Sequence, residues 1–186
     1  MINYTQVEGF FSKDQREFYT EMVKQLPDPC IVVEIGVYMG RSTIFLGQTL
    51  KESGKAFTYH AVDHFLGSVE HQEDLQKRKI NLYEKFVCNI GNAGLIDDII
   101  VHPEASHEAV ELFADQYFDF IFIDASHDYE NAKADIQLWL PKLKVGGMLA
   151  GDDWVKGWPG IQQAVKEILD YTTYGRVWKH VKTNQI

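Results

Sequence analysis

The stretch 119–130, DFIFIDASHDYE, carries the strongest indication of the fold. Its apolar run from Phe120 to Ile123 ends abruptly in Asp124, and His127 follows three residues later. A short apolar run without polar alternation is typical of a strand buried on both faces of a parallel sheet. The stretch therefore predicts a buried strand that presents a carboxylate and an imidazole at its carboxyl end.

Strand and helix signals alternate on both sides of this stretch. The predicted strands are 30–36, 56–63, 98–103, 118–125, 148–153 and 175–185. The predicted helices are 12–26, 41–54, 80–94, 106–115, 129–147 (closed by a Gly-Gly turn) and 160–171, and the polar segment 64–79 is a loop or an exposed helix. This alternation predicts an α/β fold with a doubly wound, mostly parallel sheet of six to seven strands and helices on both faces.

Length and composition set the broad class. The 186 residues fit one domain, 1–186, in which 1–29 form an N-terminal helical cap segment. A net charge of -9 disfavours nucleic acid and an anionic membrane surface as partners. The two cysteines indicate no disulfide framework, and the absence of a signal-like segment makes a cytoplasmic location the expectation.

Chemically capable residues follow the predicted strands. In open parallel sheets, ligands bind at the carboxyl ends of the strands. The residues at these ends are Glu34 and Gly36, Asp63, the segment 103–106, the segment 124–127, and the pair Asp152-Asp153. We therefore expect the ligand site to be built from these positions.

The turn EIGVYMGRS, 34–42, has two glycines but neither the G-x-G-x-x-G nor the G-K-[ST] spacing of phosphate-binding turns. Glu34 would repel a phosphate but suits an ammonium, and the helix start near Ser42 suits a carboxylate. Asp63 stands where an acid accepts hydrogen bonds from ribose hydroxyls. An amino acid joined to a nucleoside is S-adenosylmethionine. The alternative is that Gly36 and Gly40 only allow close helix–strand packing.

The stretches VVEIGVYMGRST (32–43), AVD (61–63) and FDFIFIDASHDYENAKADIQLWLPKLKVGGMLAGDDW (118–154) resemble class I S-adenosylmethionine-dependent methyltransferases. Within that class, the chain is similar to small bacterial O-methyltransferases of the macrocin (sugar) type and to the catechol and caffeoyl-CoA group. The resemblance covers about residues 30–158 and implies a Rossmann-like sheet. It also implies contacts to the cofactor: Glu34, Gly36, Tyr38, Gly40 and Ser42 at the methionine end, Asp63 at the ribose and Ser106 beside adenine.

Three carboxylates are expected to converge at two neighbouring strand ends: Asp124, Asp152 and Asp153. Three like charges in a partly dry site carry a strong penalty that a divalent cation removes. Carboxylate oxygens suit Mg²⁺, with Mn²⁺ or Ca²⁺ as further options, and the lack of a cysteine or a second histidine disfavours zinc. The alternative is that Asp152-Asp153 form a solvated turn.

His127 is predicted to be the general base, with Asp124 beside it in the catalytic site. The alternative is that His127 only caps the following helix. Catechol-type relatives carry a lysine in place of His127 and an asparagine in place of Asp153, which favours a sugar or another vicinal diol as the acceptor.

The sequence thus predicts an O-methyltransferase that acts on a small hydroxylated molecule with divalent-metal assistance. Two alternatives stay open: a metal-independent methyltransferase, and a non-catalytic S-adenosylmethionine-binding or assembly module. A homo-oligomer is compatible with the resemblance, since relatives of this kind commonly pair.

Overall fold

The computed structural model describes residues 1–184, without the side chains of residues 69–71. Its strands are β1 Cys30–Ile35, β2 Phe57–Val62, β3 Ile99–His102, β4 Phe118–Ile123, β5 Leu143–Gly151, β6 Thr172–Tyr174 and β7 Val177–Val181. Its α-helices are α1 Lys13–Gln25, α2 Arg41–Ser53, α3 Val69–Arg78, α4 Leu82–Asn92, α5 Ser106–Ala109, α6 Tyr129–Trp139 and α7 Pro159–Ile168.

Within the described residues, the strands form one seven-stranded sheet in the order β3-β2-β1-β4-β5-β7-β6. The neighbours from β3 to β5 pair in parallel, whereas β7 runs antiparallel to both β5 and β6. The chain order reverses between β1 and β4, and this is the position at which open α/β sheets bind ligands. The prediction of a doubly wound, mostly parallel α/β fold is confirmed.

Helices cover both faces of the sheet because successive side chains of a buried strand point to opposite sides. Phe120 and Phe122 pack with Phe18 of α1 in one apolar layer. Ile121 packs in the other layer, with Ile136 of α6 and Val165 of α7. The continuous apolar run of β4 therefore sits at the centre of the molecule, and its end, Asp124, opens at the edge of the sheet.

Local signals explain several element boundaries. Ser12 and Gln15 form a reciprocal capping box that starts α1, as the sequence predicts. Gly54 ends α2 in the left-handed conformation, with φ of 72°. Asp128, not His127, caps α6 by accepting a hydrogen bond from the backbone N–H of Asn131.

Several predicted boundaries are wrong. The helix at 129–147 ends at Trp139, and Gly146-Gly147 lies inside β5, beside a register irregularity in its pairing with β4. The helix at 106–115 is shorter, since α5 gives way to a 3₁₀ turn at Val110–Leu112. The strand at 175–185 is shorter than predicted: β7, the second arm of a β6–β7 hairpin, spans Val177–Val181, and residue 185 itself lies outside the described residues.

The polar segment 64–79 contains the exposed helix α3, one of the two forms expected for it. Among residues 1–184, no helix combines the length and apolar character needed to cross a membrane.

Candidate active site

A cavity of about 730 Å³ opens at the carboxyl edge of the parallel strands. It is lined by most of the predicted site positions: Gly36, Tyr38, Ser42, Asp63, Ser106, Asp124, His127, Asp152 and Asp153. Gly9 and Phe10 of the N-terminal segment also line it. The structure therefore brings together in one cavity residues that lie far apart in the sequence.

Gly36 joins the two halves of this cavity. Its φ is 85°, and an added β-carbon would lie 2.2 Å from the backbone oxygen of Asp124. Only glycine tolerates both the left-handed backbone and such a close approach. The turn after β1 and the end of β4 are therefore packed directly against each other.

Asp63 holds the same turn in place. Its Oδ2 accepts hydrogen bonds from the backbone N–H groups of Val37 and Tyr38, at 3.0 and 2.9 Å. Its Oδ1 accepts one from Phe65, at 2.7 Å. Tyr38 is thereby held at a φ of 48°, an uncommon conformation for a residue with a β-carbon. The carboxylate thus organises the loop that lines the cavity, in addition to facing the cavity itself.

Glu34 lies elsewhere than the sequence predicts. Its carboxylate is fully buried and, within the described residues, is not part of the cavity wall. Tyr19 donates to its Oε1 at 3.0 Å, while Thr43 and Tyr59 donate to its Oε2 at 2.6 and 2.8 Å. Burial raises the pKa of Glu34, and these hydroxyl donors oppose that rise. Hydroxyl donors of the chain therefore surround the carboxylate of Glu34, which the sequence predicts to meet the ammonium of the cofactor. The geometry gives Glu34 a structural role below the turn that follows β1.

Gly40 also lies outside the cavity wall. It adopts a φ of 87°, and an added β-carbon would meet the ring of Phe86 at 3.0 Å. This matches the packing alternative for this glycine. Ser42, in the first turn of α2, does line the cavity.

A second hydrogen-bonded group lines the opposite wall. Ser106 donates to Asp135 at 2.6 Å and accepts a hydrogen bond from the indole N–H of Trp139 at 2.8 Å. Asp135 is buried, and burial raises the pKa of its carboxyl. α5 and α6 are thus tied together where the resemblance places adenine.

The three predicted carboxylates converge. Asp124, Asp152 and Asp153 each offer an oxygen, and these oxygens lie within 4.8 Å of one another. Asp152 and Asp153 are both only 6% exposed, which excludes the solvated-turn alternative. Burial, reinforced by the neighbouring aspartates, raises the pKa of Asp124 well above its usual range and that of Asp152 to about 6.

Two partners of this acidic cluster were not foreseen. Arg176, between β6 and β7, donates from Nε to Asp152 Oδ1 at 2.9 Å and from Nη2 to Asp153 Oδ1. Gln15 of α1 donates to Asp124 Oδ2 at 3.2 Å. The sequence predicts a metal ion as the neutralising charge, whereas the chain also supplies a cation of its own, Arg176.

His127 stands at the edge of the acidic cluster. Its Nε2 lies 2.9 Å from Asp153 Oδ2. Its ring stacks on the indole of Trp158, with centroids 4.1 Å apart and planes inclined by 17°. Asp153 has a φ of 61°, so an uncommon backbone conformation aims this carboxylate between Arg176 and His127.

The cluster fits a divalent cation by its chemistry. Three carboxylates supply hard oxygen ligands, which Mg²⁺, Mn²⁺ and Ca²⁺ prefer. One guanidinium does not neutralise three carboxylates, and the pKa of Asp124 is raised first by burial and then by the charges of Asp152 and Asp153. A divalent ion at this position would offset the remaining negative charge.

Known protein families share the architecture of this chain. Residues 33–154 match a protein-family model described as "Methyltransferase domain". The chain therefore belongs to the methyltransferase-domain family, and the class predicted from the sequence, the S-adenosylmethionine-dependent methyltransferases, is confirmed.

The individual relatives share less than a third of their residues with this chain. A probable caffeoyl-CoA O-methyltransferase 3 of Dictyostelium discoideum is 28% identical over 160 residues, which are 82% of this chain. The chain spans only 57% of the length of that curated relative.

Solved O-methyltransferase structures share the fold. The O-methyltransferase NovP has a TM-score of 0.72 at 20% identity, covering 92% of this chain and 80% of that one. An O-methyltransferase from Bacillus cereus in complex with SAH has a TM-score of 0.65 at 24% identity, covering 93% and 83%.

Proposed function

We propose that this protein transfers a methyl group from S-adenosylmethionine to a hydroxyl of a small molecule, such as a sugar or another vicinal diol. A divalent cation held by Asp124, Asp152 and Asp153 assists the transfer, and His127 is the general base. The observation that carries the proposal is the convergence of three carboxylate oxygens within 4.8 Å, in the same cavity as Gly36.

The cofactor half of the proposal rests on the turn between β1 and α2. Gly36 lines the cavity, and Ser42 lies at the N-terminus of α2, where unpaired N–H groups favour a carboxylate. Asp63 and Ser106 both border the cavity, and we assign Asp63 to the ribose and Ser106 to the adenine of the cofactor. S-adenosylmethionine supplies an activated methyl group, so the protein has to position an acceptor in line with it.

The acceptor half rests on the acidic cluster and His127. A cation bound there would supply Lewis acidity that lowers the pKa of an acceptor hydroxyl. His127 takes the proton that this hydroxyl loses as its oxygen bonds to the methyl carbon, while the carbon–sulfur bond of the cofactor breaks and S-adenosylhomocysteine leaves. Trp158 fixes the plane of the imidazole, and Asp153 orients it through Nε2.

The N-terminal segment serves as the cap of a single catalytic domain. Gly9 and Phe10 line the cavity, and Gln15 touches Asp124. The segment therefore shields the acidic cluster from bulk water, which strengthens the electrostatic interactions inside. A cavity of about 730 Å³ has the size of a small-molecule site.

The test combines binding with turnover. Calorimetry should detect S-adenosylmethionine binding, and product analysis with a panel of small vicinal diols should detect methyl ethers. His127→Asn should retain cofactor affinity and lower kcat by about 10²- to 10⁴-fold. His180→Asn, on β7 outside the cavity wall, is the matched control and should behave as the wild type.

Metal independence is the second candidate, and Arg176 is the observation that favours it. Its guanidinium already contacts two of the three carboxylates. Turnover that persists undiminished in EDTA would select this candidate. Cofactor binding without turnover on any acceptor would instead point to a non-catalytic binding module.

A further inference from the structure

The backbone of Arg176 is held by hydrogen bonds, while its side chain is partly exposed. Its backbone N–H donates to Asp14 of α1 at 3.0 Å, and its backbone oxygen accepts from the N–H of Trp154 at 2.8 Å. Its side chain is 35% exposed and borders the cavity. The backbone is therefore anchored from two sides, while the guanidinium has space to leave the carboxylates.

The guanidinium contacts the same groups that would hold a metal ion. It contacts one oxygen of Asp152 and one of Asp153. Mg²⁺ requires its oxygen ligands at about 2.0–2.1 Å in octahedral geometry. A guanidinium binds carboxylates through longer bonds of about 2.7–2.9 Å and brings its own positive charge to the same place. The two cations therefore compete for Asp152 and Asp153.

We propose that Arg176 is an internal counterion that holds the acidic cluster together when no divalent cation is bound, and that it withdraws toward the cavity when one binds. This inference rests on the proposed metal site and adds that the affinity of that site is set partly by a competing residue of the chain. Arg176 is thus a positioning residue, acting on the carboxylates that form the site.

Metal affinity tests the proposal directly. Mn²⁺ binding to the full chain is measured by calorimetry and by electron paramagnetic resonance for the wild type, Arg176→Gln and Arg176→Lys. We expect Arg176→Gln to bind Mn²⁺ at least about tenfold more tightly, since its competitor is gone, and Arg176→Lys to fall between the two.

A matched control separates direct competition from the general loss of a positive charge. Arg41→Gln removes the same charge from another part of the cavity wall, where Arg41 donates to the backbone oxygen of Gly9 at 2.7 Å. It should change Mn²⁺ affinity by less than about threefold, because screening weakens charge interactions that lack direct contact. An equal gain in both variants would overturn the proposal.

Thermal unfolding supplies a second readout. In EDTA, Arg176→Gln should unfold at a lower temperature than the wild type, because two buried carboxylates lose their counterion. Saturating Mn²⁺ should close that gap, since the metal then neutralises the same carboxylates.

The outcomes distinguish this inference from the proposed function. If Mn²⁺ binds Arg176→Gln no more tightly than the wild type, competition is excluded while the metal site stands. If neither protein binds Mn²⁺, both the competition and the metal role fail, while methyl transfer in EDTA would preserve the transferase itself.

Discussion

The imidazole of His127 lies flat against the indole of Trp158, with ring centroids 4.1 Å apart. Trp158 immediately precedes α7, while His127 immediately precedes Asp128, the cap of α6. The contact therefore couples the starts of two helices to the orientation of the proposed base.

Replacing Trp158 tests this coupling. Trp158→Ala should lower kcat up to about tenfold, because an aromatic pair contributes about 0.5–1.5 kcal/mol, and should leave cofactor affinity unchanged. Trp158→Phe should retain most of the rate. Trp154→Phe is the control, since Trp154 packs on Tyr171 outside the cavity wall. Steady-state kinetics that determine kcat and KM separately provide the measurement. An equal loss of kcat in Trp158→Ala and Trp158→Phe would argue against a stacking role.

Gly36→Ala should destabilise the fold and abolish cofactor binding. The new β-carbon would collide with the backbone oxygen of Asp124 and force an alanine to a φ of 85°. We expect a loss of more than about 2 kcal/mol in the free energy of unfolding, measured with urea. Gly54→Ala provides the comparison, because the φ of Gly54 is 72° but no atom lies within 4 Å of the added carbon. Its free energy of unfolding should therefore fall by only about 1 kcal/mol. An equal loss of unfolding free energy in the two variants would contradict the predicted steric clash at Gly36.

The hydroxyl donors around Glu34 should be structural. Tyr59→Phe and Thr43→Val each remove a donor from a fully buried carboxylate. Each should lower the free energy of unfolding by about 1–3 kcal/mol without moving the KM for S-adenosylmethionine. Tyr83→Phe, at an exposed position of α4, should be neutral. A raised KM with unchanged stability would restore Glu34 to the cofactor contacts predicted from the sequence.

His60 should make the fold sensitive to acid. Burial, with a smaller effect of His102, lowers the pKa of His60 to about 4. Because the native state disfavours the protonated ring, this contribution is fully present above about pH 6.5, the ordinary pKa, and is lost as the pH falls to about 4.

The loss amounts to up to about 3 kcal/mol across that window. His60→Phe removes the titrating group, so its free energy of unfolding should fall less than that of the wild type between pH 7 and pH 4. Urea titrations at several pH values provide the measurement. Parallel pH profiles for the two proteins would contradict the assignment.

The sequence predicts most of the parallel sheet because β1 and β4 are runs of mainly apolar residues, followed directly by Gly36 and by Asp124. It fails at Gly146-Gly147 because a glycine pair usually ends an element, whereas here Gly146, at a φ of 81°, lies at an irregularity within β5. It also misses β6, whose three residues are all exposed and so leave no apolar pattern.

At the site, spacing predicts the convergence of the three aspartates because their strands are adjacent. It does not predict Arg176, which lies 23 residues after Asp153 on a half-exposed hairpin and resembles any surface cation in sequence. For Gln15 the sequence predicts only a capping box. Its side chain serves both purposes: Oε1 accepts from Ser12, and Nε2 reaches Asp124. Contacts of this kind depend on tertiary packing, which no local pattern encodes.

The double use of Gln15 has a reciprocal consequence. A change of charge at the acidic cluster should therefore alter the stability of the first turn of α1, and a change in that turn should alter the acidic cluster. The backbone amide proton of Ser12 would then report on ligand occupancy of the cavity, giving hydrogen-exchange or NMR experiments a probe that requires no label on the ligand.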